Sequence, residues 1–162
     1  MDFQGATSAI SSVPLDVLVI GIFFLIVSAD SLRSGPTRAT ALALSLPITL
    51  YLFQIVPKTI LVGSLTASFK GEIGQLVIFL VIEAILFVCF HQMFFAYDRY
   101  SSLLNAAIAG AAATAVLVVV WIQTPVLSSL WQFGPHMQFV FGNSYSFFWF
   151  ILAYFALAYV GG

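Results

Sequence analysis

Charge is what this sequence has least of. Only 7% of its 162 residues are charged, where a soluble domain carries about 25%. Five Lys and Arg against six Asp and Glu leave a net charge of −1, and the basic residues form no run. A nucleic-acid-binding surface is thereby excluded. Cysteine is almost missing. Cys89 has no mate, which excludes an intrachain disulfide, a CxxC redox motif and a cysteine zinc site; it reads as a small apolar packing residue. No lysine lies at membrane depth, so a retinal Schiff base has no anchor. Internal repeats, heptads and low-complexity tracts are also lacking.

What fills the chain instead is hydrocarbon: 62% of residues are hydrophobic and 16% aromatic. The sequence predicts an all-α membrane protein, a single bundle over 1–162 with five transmembrane helices near 14–31, 40–56, 73–97, 103–124 and 145–160. The alternative is four spans plus an interfacial C-terminal segment, because 16 residues from Tyr145 to Val160 fall just short of the usual span. The third span is the longest, and the others are expected to surround it.

Residues 1–13 carry no Lys or Arg, unlike a signal peptide, so the first span is expected to be retained. Ser12 suits an N-cap, Pro14 a first turn, and Asp16 the positive end of the helix dipole. Gly35-Pro36 breaks the chain between Arg33 and Arg38, and Asp30 pairs with Arg33 at i,i+3 spacing. Because Lys and Arg favour cytoplasmic loops, this linker is placed inside and the N-terminus outside. Arg33, Arg38 and Arg99 then share the inner surface, with Lys58 and Lys70 outside. Pro47 bends the second span and frees the carbonyl of Ala43. The stretch from Lys58 to Glu72 is mildly amphipathic and suits the outer surface. In the fourth span Ala106, Gly110 and Thr114 recur four apart, as do Ala109 and Ala113. This small-residue face, with Ala106, Gly110 and Ala113 as its packing positions, predicts close helix approach. Residues 125–144 are broken by Gly134-Pro135 and Gly142-Asn143 and suit an interfacial loop or half-helix.

The candidate sites follow from the few polar groups. His91 falls near the inner end of the third span and His136 in the outer loop, so they lie on opposite sides of the membrane and cannot share one ion at about 2 Å; no metal and no cofactor are expected. Gly63-Ser64 lacks the spacing of a nucleophile elbow. Asp30 and Asp98 offer an acid–base pair, but each sits beside arginine, which favours a cytoplasmic charge cluster of Asp30, Arg33, Arg38, Asp98 and Arg99. No enzymatic activity is expected. Glu83 is different. It lies near the middle of the third span, where a charge costs at least about 2.5 kcal/mol and is usually buried against protein or water. Counting from the helix ends puts Thr49, Glu83 and Thr114 at one depth, a midplane polar site. Two readings stay open there. A protonated Glu83 bonded to a threonine hydroxyl or to the Ala43 carbonyl is helix–helix glue. An ionisable Glu83 beside Gln75, Ser45 and Gln54 is a proton or cation site.

Three features occur in a recognisable order: Pro14-Leu15-Asp16 opening the first span, the basic linker from Leu32 to Arg38, and Asp98-Arg99 leading into the small-residue helix from Leu103. In this the chain resembles the colicin V production protein family, small polytopic membrane proteins of bacteria, over most of residues 14–117. The resemblance implies a bacterial inner-membrane protein linked to toxin export or envelope homeostasis, without established catalysis. From the residues, the leading expectation is a structural or accessory subunit that packs with itself or with membrane partners. The alternative is a small channel or proton- or cation-coupled transporter centred on Glu83. An intramembrane enzyme using Asp30 and Asp98 stands behind both.

Overall fold

Alanine and valine dominate the stretch after Ser102, and they dictate both a helix and its place. The Ser102 hydroxyl caps the start by accepting from the Asn105 N–H at 3.2 Å. The helix ends at Gln123, where Pro125 begins a new one. In this computed structural model, which describes residues 14–56, 71–94 and 102–161, the secondary structure is helical, with no strand among the described residues. The helices are α1 Leu15–Ser34, α2 Thr37–Ile55, α3 Glu72–Phe94, α4 Leu103–Gln123, α5 Pro125–Leu130, α6 Pro135–Phe141 and α7 Ser146–Gly161.

Four of these, α1 to α4, are long and apolar enough to cross a membrane. A fifth crossing is available only as the pair α6 and α7, bent by 67° at their junction. The 16 residues of α7 rise about 24 Å, less than the ~30 Å hydrocarbon core. The helices also begin and end a few residues away from the expected spans. The first runs on to Ser34 and the second starts at Thr37, so only Gly35 and Pro36 separate them. Gly35 makes the turn at φ 78°, a left-handed value that a side chain would oppose.

The middle of the bundle is α4, not α3. Of its most apolar 18-residue window 56% is buried, against 6% for α3, and α4 packs against α1, α2 and α7. Side-chain size explains the difference. Ala106, Ala109, Gly110 and Ala113 let neighbouring backbones come close from several directions, and Val116 and Val120 fill the space beyond. The bulky Ile, Leu and Phe residues of α3 hold neighbours off, and α3 packs mainly along α2. Helices α1 and α4 lie close together at Gly110, where an added Cβ would lie 3.1 Å from Ser28 Cα.

The neighbours alternate in direction. Phe53 of α2 meets Phe79 of α3 edge to face at 5.7 Å, and Glu83 reaches back to Thr49 and Ser45, an antiparallel pairing. At one end of the bundle Arg38 donates to Asp30 across the α1–α2 hairpin at 3.0 Å. Both side chains are nearly half exposed, so the pair contributes at most about 1 kcal/mol. At the opposite end, Asp16 accepts from the Trp131 indole N–H at 3.1 Å and from the Gly134 N–H at 2.6 Å. The first turn of α1 is thus tied to the loop between α5 and α6. A dipole-compatible start residue turns out to have a tertiary role as well.

Candidate functional site

On α3 two residues are buried, Phe79 and Glu83, one turn apart on the face that meets α2. Phe79 packs with Phe53 and fixes how α3 lies on α2; Glu83, 9% exposed, is thereby carried to the middle of both helices. There its two carboxyl oxygens meet two hydroxyls. Ser45 Oγ stands 2.5 Å from Oε1, and Thr49 Oγ1 donates to Oε2 at 2.7 Å. Ser45 and Thr49 are one turn apart and fully buried, so they present their hydroxyls as a pair.

Counting protons sharpens the arrangement. Ser45 Oγ is also 3.0 Å from the Leu42 carbonyl oxygen, and a hydroxyl has one proton to give. A neutral Glu83 satisfies every contact at once. Its own O–H donates to Ser45 Oγ, Ser45 donates to Leu42, and Thr49 donates to the second carboxyl oxygen. An ionised Glu83 would take the Ser45 proton and leave the Leu42 carbonyl without it.

Pro47 lies between the two hydroxyl residues on α2. The carbonyl it frees, that of Ala43, accepts from the Tyr154 hydroxyl of α7 at 3.3 Å rather than from Glu83. The proline defect and the carboxylate therefore share one stretch of α2 but have separate partners. Nothing in the spacing of this aromatic-rich segment marks Tyr154 as the tyrosine aimed at the proline.

Of the residues expected at the midplane, the structure joins Thr49 to Glu83 and leaves Thr114 elsewhere. Thr114 Oγ1 donates to the Gly110 carbonyl of its own helix at 2.7 Å and faces α1. Similar depth along two helices does not imply a shared face. Gln54 and Gln75 are exposed, so the buried polar group comprises Ser45, Thr49 and Glu83. Asp30 takes Arg38 across the hairpin instead of Arg33 along its own helix. Asp98 and Arg99 of the expected charge cluster lie outside the described residues, as do Ser12, Lys58, Gly63, Ser64 and Lys70. Ala106 and Ala113 are fully buried beside Gly110.

His91 sits in the last turn of α3, its ring stacked on Phe87 at 5.9 Å, whereas His136 is exposed in α6 at the bundle end near Asp16. Among the described residues no three His, Cys, Asp or Glu side chains are grouped to hold a metal ion. No family model, no curated protein and no solved structure matches this chain.

Proposed function

We propose that this protein is a structural or accessory subunit of a membrane, packing with itself or with other membrane proteins rather than catalysing a reaction. One observation carries the reading: both oxygens of the single buried carboxyl described are engaged by hydroxyls of a neighbouring helix. A group held in this way fastens α3 to α2. The broad apolar surface of α3, from Ile73 through Leu80 and Ile85 to Met93, then remains for lipid or a partner helix. The resemblance to the colicin V production protein family over most of residues 14–117 is what points to a bacterial inner membrane and a link to export or envelope homeostasis. We further propose five crossings, the last made by the bent α6–α7 pair, with the N-terminus outside.

The second reading, a proton- or cation-conducting site at Glu83, is favoured by the depth of the carboxyl and by its hydroxyl partners, which could pass a proton. The two separate in reconstituted vesicles. The structural reading expects proton and cation flux no greater than in protein-free vesicles across a range of pH. Flux above that level, lost in Glu83→Gln, would replace it with the transport reading, because glutamine cannot change charge.

Orientation has its own test. In a Cys89→Ser background, Ser34→Cys and Gly162→Cys are expected to resist an impermeant thiol reagent until the membrane is opened. Labelling of both in intact cells would invert the topology.

A further inference from the structure

A cavity of about 360 Å³ lies between α1 and α4, under the loop that Asp16 holds. Its walls include Val19, Phe23, Leu117, Val118, Trp121 and Phe133. The polar atoms that border it are already engaged. Thr114 donates to the Gly110 carbonyl, the Trp121 indole N–H to the Trp131 carbonyl at 3.0 Å, and the Trp131 N–H to Asp16. Inside the cavity a polar group would find nothing to orient it, and a water needs two to four polar partners. The space is more than twice the ~150 Å³ that accepts a benzene ring in an engineered apolar cavity, so it suits an extended hydrocarbon. Val19 is 42% exposed while lining it, which puts the mouth on the outer face of α1, where a membrane supplies acyl chains. Charge narrows the choice further. The Asp16 carboxylate touches the wall through Trp131 and keeps lone pairs beyond its two bonds. It would repel the head of a fatty acid and attract the cationic group of a zwitterionic lipid.

We propose that this cavity holds one acyl chain of a zwitterionic phospholipid, with its cationic head beside Asp16. The site is independent of Glu83 and of the function proposed above. The chain has three tryptophans, and Trp149→Phe leaves Trp121 and Trp131, both on the cavity wall, as the reporters. Phosphatidylcholine with a brominated chain, titrated into this full-length variant in detergent, is expected to quench fluorescence saturably at one lipid per chain. Brominated stearic acid is expected to bind several-fold more weakly, and Asp16→Asn to narrow that gap. Val19→Phe fills the cavity from its exposed mouth and is expected to abolish the saturable phase with the helical circular-dichroism spectrum unchanged; Leu117→Phe does the same from the α4 wall. Quenching that rises without saturation, or that persists in both filled variants, would overturn the site. Equal or tighter binding of the fatty acid would overturn the assignment to a zwitterionic lipid.

Discussion

Gly110→Leu is expected to lower the stability of the bundle by about 1–3 kcal/mol, the usual cost of overpacking a close contact, and to do so by forcing α1 off α4. The geometry leaves little room for escape. A Cβ at this position would lie against the Ser28 side chain and 3.1 Å from Ser28 Cα, which is backbone and cannot turn aside as a rotamer would. Ser28 Oγ is itself buried without a hydrogen-bond partner, so close contact rather than bonding holds the crossing. Gly110→Ala asks for the first carbon only and should cost less than leucine, with Ser28→Gly restoring part of the loss as the facing side chain is removed. Thermal unfolding in detergent, followed by circular dichroism, measures all three. A leucine variant that melts with the parent would show that α1 and α4 separate without penalty, and the small-residue face would lose its meaning.

Much of this architecture can be read from residue types, and the reasons show where such reading stops. Segments of twenty apolar residues announce helices of bilayer length, and the four-residue recurrence of Ala106, Gly110 and Thr114 announces a close-packed face. Which helix takes the centre is another matter. The third span stands out by its length and by Glu83, but centrality depends on how many neighbours can approach, and that favours small side chains over long ones. Thr114 shows why a count along the chain cannot name partners: a position along a helix axis says nothing of its angle around it when every face is apolar, and Thr114 turns to α1 rather than to Glu83. Asp16 shows the same limit from the other side. Its dipole role is local and visible in the sequence; its bonds to Trp131 and Gly134 span 115 and 118 residues and exist only once α1 and α4 lie antiparallel.

Glu83→Ala is expected to weaken the α2–α3 contact by about 1–3 kcal/mol, since two interhelical hydrogen bonds disappear and each contributes roughly 0.6–1.7 kcal/mol between membrane helices. Part of the loss is recovered locally. Ser45 keeps the Leu42 carbonyl, 3.0 Å away, whereas Thr49 loses its partner on α3. Glu83→Gln should behave differently. Its amide N–H₂ can donate to Ser45 Oγ and its carbonyl can accept from Thr49, the same pattern as the neutral acid, so a change within about 0.5 kcal/mol is expected. A double-mutant cycle between Glu83→Ala and Thr49→Ala isolates the pair, with a coupling of about 1 kcal/mol anticipated for residues in direct contact. If the glutamine variant were as unstable as the alanine one, the site would require two acceptors and hold an ionised carboxylate, contrary to the proton count around Ser45. If instead all variants melted together, the carboxyl would contribute nothing to holding α3. A costly polar group near the bilayer centre would then have to be retained for what it does in the membrane, which is the transport reading.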